Sequence, residues 1–457
     1  MKKVCVIGGG ISGLCVAYRL KKKGVDVLLI ERNAVCGGNI QTERDGEFLI
    51  EWGPNSTLVS AHLFELIAEL DLLDEVAPAN ASAKKRYILK DGKLRPLPLK
   101  IIQIVGTDVL STKAKLKLLR EPFDKSKSSE NESVAEFFRR RLGQEVLDYA
   151  VDPFVSGIFA GNPDKLSVKS AFPSLFKMEA DYGSILKASV FGKNEKPGKF
   201  VPKGISRTVS FKNGMQTLTD KLAENLRGEI RTETEVLSIE KRKTENGKWK
   251  IKTNNAEING ESFDAVIIAA PSFVAAKLVE NLDDELSGKL NEIYHPPLAV
   301  IVSAFRKEDV NFDLDGFGFL IPKVEHRKIL GSLWSSVIFQ NRAPENVHLL
   351  TTFIGGARNA GLCDKSDDGL FQIAREELDS ILGLKGEPIF QRIKRWTRAI
   401  PQYNLGYEKV VDSIENFKEN NAGFFFCSNF YRGISVSDCI KSSITATEEI
   451  LDYLKEI

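Results

Sequence analysis

A glycine-rich turn near the start of the chain has the spacing of a phosphate-binding loop. Gly8, Gly10 and Gly13 follow a short apolar run and open a segment with helical periodicity. At such a turn, backbone N–H groups and the helix dipole can hold a pyrophosphate. Glu31 ends the next apolar run, where a carboxylate accepts hydrogen bonds from the hydroxyls of an adenosine ribose and repels a 2′-phosphate. The pattern predicts a dinucleotide site rather than a simple strand-to-helix turn.

Three further segments favour FAD over NAD. Gly37 and Gly38 follow Glu31 closely, which indicates a second close approach of backbone and cofactor. Residues 51–56, EWGPNS, offer a rigid turn with free amides, or else a plain loop. A helix predicted to begin near Ser435 could stabilise the negative charge of a reduced flavin through its N-terminus. Asn429 precedes this helix at a position where many FAD proteins carry an aspartate.

The remaining polar residues form no second catalytic system. The histidines and cysteines are scattered, without C-x-x-C or metal-ligand spacing. No Ser-His-Asp, Cys-His or paired-carboxylate pattern stands out. We therefore expect reduced cysteines, no metal and no catalytic side chain, because the flavin would carry the chemistry.

The order of apolar runs predicts an α/β protein around a doubly wound parallel sheet. Residues 3–31 form a β-α-β pattern, 263–271 a strand buried on both faces, and 298–353 a series of alternating strands. A helix is expected over 60–76. Between residues 84 and 200 the chain is basic and helical, with a capping box at Ser133 and Glu136. Within it, KAKLKLLREPF is either a membrane-surface helix or an ordinary solvated one.

Composition limits the partners and the location. A chain of 457 residues should form two or three structural units. Its net charge of +2 gives no overall positive potential that would attract nucleic acid. The longest apolar stretch, 265–279, is interrupted by Pro271 and is shorter than the roughly 20 residues of a membrane-spanning helix. The first strand begins almost at Met1, which leaves no room for a targeting peptide. We expect a cytoplasmic protein that can lie on a membrane without crossing it.

Several sequence blocks are spread over nearly the whole chain: GGNIQTERDGEFLIEWGPNS, KRYILKDGKLRPLP, DPFVSGIFAGNPDKLSVKSAFP, FKNGMQTL, GFGFLIP, ILGSLWSSVIFQNRAP, TTFIGGAR, RAIPQYNLGY and GISVSDCI. In these blocks the chain resembles the oxygen-dependent protoporphyrinogen oxidases, within the amine-oxidase-like flavoproteins. The resemblance implies a Rossmann-like FAD-binding domain of residues 1–76, 215–292 and 398–457. It also implies an inserted α+β substrate domain of residues 77–85, 187–214 and 293–397, and a helical, membrane-associating domain of residues 86–186.

The resemblance also implies site residues. Arg86 would pair with a propionate of the substrate, and the pocket for the macrocycle would be lined by Gly157, Leu320, Leu333 and Phe353. The implied cofactor contacts are Gly8, Gly9, Gly10, Ile11, Ser12, Gly13, Glu31, Arg32, Gly38, Asn39, Gly53, Pro54, Asn55, Ser56, Val236, Ile434, Ser435 and Val436. Two departures from the family pattern, Ala160 and Trp334, are expected to alter the shape of the pocket.

The implied activity is the oxidation of protoporphyrinogen IX to protoporphyrin IX in haem synthesis. Hydride would leave a bridge carbon for the flavin, pyrrole protons would leave to solvent, and oxygen would become hydrogen peroxide over three such rounds. Coproporphyrinogen III is the near alternative substrate, and a flavin amine oxidase or carotenoid desaturase is a more distant one. A non-catalytic carrier on the same fold would bind no flavin. The sequence leaves open whether the chain forms a homodimer.

Overall fold

The computed structural model describes residues 2–98, 101–191, 207–241 and 248–457. A five-stranded parallel sheet, here called the cofactor sheet, contains in spatial order the strands Ile230–Arg231, Asp26–Ile30, Lys3–Ile7, Ala265–Ile268 and Phe424–Phe426. Its central strands are runs of apolar residues that are buried on both faces, as a parallel sheet requires. The predicted β-α-β unit and the strand within 263–271 are confirmed.

Both faces of the cofactor sheet are covered. One face packs against the helices Ile11–Lys22, Ala61–Glu69, Gln216–Asn225 and Val436–Glu456. The other packs against the helices Ser272–Val279, Asp284–Asn291 and Tyr407–Asn420 and the antiparallel strands Val236–Lys241, Trp249–Thr253 and Ser262–Phe263. The helix predicted over 60–76 is too long, because it ends at Glu69. The chain then turns through Asp71, whose φ of 55° lies outside the helical region, into a 3₁₀ turn at Leu73–Glu75.

A seven-stranded sheet, here called the large sheet, forms a second layer. Its strands lie in the order Phe390–Trp396, Leu298–Arg306, Val347–Gly355, Ile329–Leu333, Gly316–Leu320, Lys85–Lys90 and Lys93–Pro96. Helix Asp367–Leu382 packs on one side, the helix-covered face. The opposite side, the inner face, packs on Ile50 and Trp52, which lie in the N-terminal segment that follows the first three elements of the chain. The large sheet therefore lies against the part of the chain that contains the cofactor sheet.

The start of the helical part differs from the sequence-based boundary. Residues 86–96, assigned above to the helical domain, lie in a hairpin of the large sheet. Asp91 and Gly92 join the two strands, and both have positive φ, which is the backbone of a tight two-residue hairpin turn. Of the predicted substrate segment 187–214, residues 192–206 lie outside the described residues.

The helical part has an apolar core of its own. Its helices are Ile101–Gly106, Thr112–Arg120, Val134–Arg141, Gln144–Val146, Asp152–Phe159, Val168–Ala171, Pro173–Tyr182 and Ile185–Phe191. The capping box of Ser133 and Glu136 is confirmed. Across the described residues, no helix has both the length and the apolar character needed to cross a bilayer.

Short elements complete the chain. The strands Thr42–Asp45 and Phe48–Glu51 form a hairpin, and Thr57–Leu58, Thr208–Phe211 and Val76–Pro78 form a small antiparallel sheet. The remaining turns of helix are Ala81–Lys84, Glu121–Phe123, Leu147–Val151, Lys307–Asp309, Lys323–Glu325, Ser335–Ile338 and Ala360–Asp364.

Candidate active site

The glycine turn joins the first strand to the first helix at the carboxyl edge of the cofactor sheet. Gly8 has a φ of +111°, and a Cβ atom on Gly13 would lie 2.0 Å from the Gly8 carbonyl oxygen. A Cβ on Gly9 would lie 2.7 Å from the Cys36 sulfur. Ile11 and the adjacent Ser12 are buried in the first helical turn. The glycines therefore leave the backbone of the turn uncovered by side chains at a helix N-terminus, which is the geometry that binds a pyrophosphate.

The Glu31 carboxylate lies against this turn. Its Oε2 accepts a hydrogen bond from the Gly9 N–H at 2.7 Å, and its Oε1 accepts two from the backbone and side chain of Asn33 at 2.8 and 2.7 Å. The Thr234 N–H donates to the Glu31 carbonyl at 3.0 Å, so the strand that begins at Val236 starts beside it. Asn33 was missed from the sequence, although an asparagine two residues after a carboxylate can make this contact. The neighbouring Arg32 is exposed.

The second glycine pair meets the first. The Gly37 N–H donates to the Gly9 carbonyl at 2.8 Å, and a Cβ on Gly38 would lie 3.1 Å from the Gly10 Cα. Asn39 is held close to the GPNS turn, because a Cβ on Gly53 would lie 1.8 Å from the Asn39 carbonyl oxygen. These approaches place two predicted cofactor segments side by side.

The end of the chain returns to the same edge. Ser435 caps helix Val436–Glu456, which packs in one core with the first helix. The Ser437 hydroxyl donates to the Leu58 carbonyl at 2.7 Å, just beyond Pro54, Asn55 and Ser56. Ile434, Ser435 and Val436 therefore lie near the GPNS turn. The predicted cofactor residues from distant parts of the chain come together along this carboxyl edge.

The predicted substrate residues lie on the inner face of the large sheet. Leu320 pairs with Gly331, Gly331 pairs with Phe353, and Leu333 pairs with Gly318 across neighbouring strands. Their sequence neighbours belong to the helix-covered core, namely Phe319, Trp334 and Ile354. Side chains alternate along a strand, so the three predicted residues point the other way. They are partly exposed there, and a Cβ on Gly157 would lie 2.8 Å from a Leu320 methyl carbon.

Arg86 lies on the strand beside Leu320 and faces the same way, because its neighbour Tyr87 belongs to the helix-covered core. Its guanidinium lies over the Phe317 ring at 4.3 Å from the centroid. Burial lowers the pKa of Arg86, and among the described residues no charged group offsets this shift. Phe317 was not singled out from the sequence, because the strand register there contains an irregularity. The inner face thus presents a cation beside an apolar wall.

A family model described as flavin containing amine oxidoreductase matches residues 11–451. The chain belongs to this family. Protoporphyrinogen oxidase 2, chloroplastic/mitochondrial, of Arabidopsis thaliana is 37% identical over 99% of this chain and 94% of that protein. Coproporphyrinogen III oxidase of Bacillus subtilis is 27% identical over 99% of this chain and 98% of that protein. A crystal structure from Exiguobacterium sp. 255-15 covers 99% of both chains, with a TM-score of 0.81 and 25% identity. The resemblance to protoporphyrinogen oxidases is confirmed.

In this flavin-containing amine oxidoreductase, the two departures from the family pattern have different positions. Trp334 does not line the inner face, because its ring packs with Tyr87 and Phe312 in the helix-covered core at centroid distances of 5.5 and 5.8 Å. Trp334 therefore lies on the opposite side of the large sheet from the predicted pocket residues. Ala160 lies in the inner-face cluster with Phe353. Its φ of 48° is left-handed, a conformation that glycine holds without strain.

Proposed function

We propose that the chain is an FAD-dependent oxidase that converts protoporphyrinogen IX to protoporphyrin IX in haem synthesis. Oxygen is the acceptor and hydrogen peroxide is the second product. The observation that carries the proposal is Arg86, a partly buried guanidinium with no charged partner among the described residues, next to an apolar wall. A propionate that leaves water beside such a wall needs a cation that can form paired hydrogen bonds, because these offset its desolvation. The full-length similarity to proteins named protoporphyrinogen oxidase supports the assignment.

FAD fits the carboxyl edge of the cofactor sheet, because backbone segments there approach one another so closely that side chains have no room. The glycine turn would hold the pyrophosphate, Glu31 the ribose, and the backbone of Val236 the adenine. Gly38, Asn39, the GPNS turn and residues 434–436 would hold the flavin end. The test is to release the cofactor from purified protein by heat and to identify it by chromatography. FMN or no flavin would contradict the assignment, and a colourless protein would favour a carrier.

The chain's own side chains then position the substrate and exclude water. FAD, when bound, supplies the two-electron acceptor. Arg86 would hold a propionate, while Gly157, Leu320, Leu333 and Phe353 would fix the macrocycle against the flavin and keep bulk water away. Each round removes one hydride from a bridge carbon and one proton, so that three rounds take four bridge C–H hydrogens and two pyrrole N–H hydrogens from the macrocycle. In each round one oxygen molecule accepts two electrons and, with two protons, becomes hydrogen peroxide. No strong base is needed, because aromatisation of the macrocycle drives proton loss to solvent.

Coproporphyrinogen III is the second candidate substrate. Relatives in Bacillus subtilis and Staphylococcus aureus carry the name coproporphyrinogen III oxidase and are 27% and 28% identical to the chain. Coproporphyrinogen III has four propionates, so we expect it to need more cations at the site than Arg86 alone. Turnover of the two porphyrinogens by the same preparation, followed by porphyrin fluorescence in air, separates the candidates.

The division into three domains is part of the proposal. The cofactor sheet with its covering helices would be the FAD-binding domain, and the large sheet, including the hairpin from Lys85, the substrate domain. The helical part would rest on the cytoplasmic face of a membrane. Leu116, Leu119 and Phe123 are 52%, 70% and 80% exposed on one short stretch of this part, and Lys117 and Arg120 lie between them. Exposed apolar residues with interleaved cations are typical of membrane-surface segments.

A double variant in which both Leu119 and Phe123 are replaced by glutamate should therefore bind vesicles more weakly. We expect about tenfold weaker co-sedimentation with vesicles of phosphatidylcholine and phosphatidylglycerol. The variant loses two apolar side chains that would enter the membrane, and it gains two negative charges that anionic lipid repels. In the matched control, Leu73 and Ile389 are replaced by glutamate. These residues are 49% and 44% exposed but lie outside the helical part, so the control should bind as the parent does. Equal binding of both double variants, or no binding of the parent, would contradict the membrane proposal.

A further inference from the structure

We propose that the buried ion pair between Asp152 and Arg358 is a positioning device for the substrate site. The pair would set where helix Asp152–Phe159 lies against the large sheet, and thereby the apparent affinity for the tetrapyrrole. This inference rests on the proposed function. Asp152 and Arg358 lie in the same sequence blocks as Gly157 and Phe353. Neither of them belongs to the predicted pocket lining or to the predicted cofactor contacts, so the proposed function gives them no role.

The pair ties three chain segments together at the start of the helix. Asp152 Oδ2 accepts hydrogen bonds from Arg358 Nη2 and from the Lys323 N–H, both at 2.7 Å. Arg358 Nη1 donates to the Ile321 carbonyl at 2.8 Å. The side chains of Asp152 and Arg358 are only 7% and 9% exposed. The pair thus joins the helix start to the end of strand Gly316–Leu320 and to the segment that follows strand Val347–Gly355.

The same short segment also holds the other end of the helix. The Ala357 N–H donates to the Ala160 carbonyl at 2.7 Å. Arg358 therefore binds the start of the helix, and the adjacent Ala357 binds its end. Between these ends, Phe154, Gly157 and Ile158 form one exposed helix face, and Gly157 touches Leu320. A shift of the helix would therefore change the spacing between two residues of the predicted pocket wall.

Removing one partner should act on substrate binding and leave the chemistry in place. In Asp152→Asn and Arg358→Gln we expect KM for protoporphyrinogen IX to rise about tenfold, with kcat and flavin content near the parental values, because a small misplacement of a pocket wall weakens binding. The double variant should raise KM by less than the product of the two single effects, since the ion pair is already lost in each single variant. Arg358→Lys retains the charge and should recover part of the affinity.

Glu377→Gln is the matched control. Glu377 accepts from Arg327 Nε at 2.6 Å and from the Lys328 N–H at 3.1 Å, and its side chain is 9% exposed. Like Asp152, Glu377 is a buried carboxylate that accepts hydrogen bonds from one arginine and one backbone N–H. It lies, however, on helix Asp367–Leu382, on the other side of the large sheet. This variant should lose stability without a change in KM. An equal rise of KM in Glu377→Gln would show a general effect of destabilisation and would overturn the positioning role.

Hydrogen–deuterium exchange supplies a readout that does not depend on turnover. Amides of residues 152–159 should exchange faster in Asp152→Asn than in the parent and in Glu377→Gln. A parent enzyme that is inactive on both porphyrinogens would overturn the proposed function. An active parent whose KM and helix exchange are unchanged in Asp152→Asn would overturn the role of this pair alone.

Discussion

Replacing Arg86 with leucine is expected to raise KM for the porphyrinogen by about 10- to 100-fold, the value of one charge-assisted hydrogen bond in a desolvated site. Flavin content should not change, because Arg86 lies on the large sheet and outside the cofactor segments. We also expect the Tm of the variant to be no lower than that of the parent. The guanidinium is partly buried, and among the described residues no charged partner offsets its burial. Its removal therefore takes away a desolvation cost that lowers the free energy of unfolding. Steady-state kinetics and thermal unfolding measure the two effects.

Arg95→Leu is the control for this prediction. Arg95 lies on the partner strand of the same hairpin and forms a surface ion pair with Asp108 at 2.6 Å, where its side chain is 38% exposed. We expect little change in KM, because an exposed pair contributes little and no substrate contact is lost. An unchanged KM in Arg86→Leu would remove Arg86 from the site, as would an equal rise of KM in both variants.

Replacing Gly13 with alanine is expected to abolish most flavin binding. The added Cβ would lie 2.0 Å from the Gly8 carbonyl oxygen, a backbone atom that moves only if the glycine turn moves. Overpacking of this kind costs about 1–3 kcal/mol, which corresponds to about 5- to 150-fold weaker binding if the cost falls on the glycine turn. The ratio of flavin to protein absorbance after purification measures the loss, and far-UV circular dichroism checks that the chain is folded.

Gly288→Ala is the matched control for the glycine turn. Gly288 also lies inside a helix, Asp284–Asn291, and a Cβ there meets nothing within 4 Å. Because alanine has the higher helix propensity, this variant should keep its flavin and be at least as stable as the parent. Full flavin occupancy in Gly13→Ala would contradict the assignment of this turn to the cofactor.

The parts of the fold that the sequence predicts are those with strong local patterns. The run before Gly8 and the run around residues 265–268 are short, rich in β-branched residues and apolar at every position, which is typical of a strand buried on both faces. The capping box of Ser133 and Glu136 is also local, since both partners lie within one helical turn. For the site, the spacing from the glycine turn predicts that Glu31 ends the second strand beside this turn, and the Glu31 carboxylate does lie there, where it accepts a hydrogen bond from the Gly9 N–H.

The parts that the sequence does not predict depend on distant pairing. The strand at Lys85–Lys90 pairs in parallel with Gly316–Leu320, and nothing near Lys85 in the sequence indicates that partner. The basic composition after residue 84 suggested helix, although the Asp91-Gly92 pair was a local hairpin signal. The side to which Trp334 points follows from strand register in the large sheet. For the same reason, the stacking of Arg86 on Phe317 could not be read from spacing.

The most direct test of the central claim is the growth of porphyrin fluorescence in air from protoporphyrinogen IX and coproporphyrinogen III. It uses purified protein whose flavin spectrum has been recorded, with a protein-free sample to subtract spontaneous oxidation. We predict that the enzyme-dependent rate is faster with protoporphyrinogen IX, that hydrogen peroxide accompanies it, and that it falls in Arg86→Leu. A faster rate with coproporphyrinogen III would change the named substrate, and no enzyme-dependent rate with either substrate, despite bound flavin, would contradict the tetrapyrrole assignment.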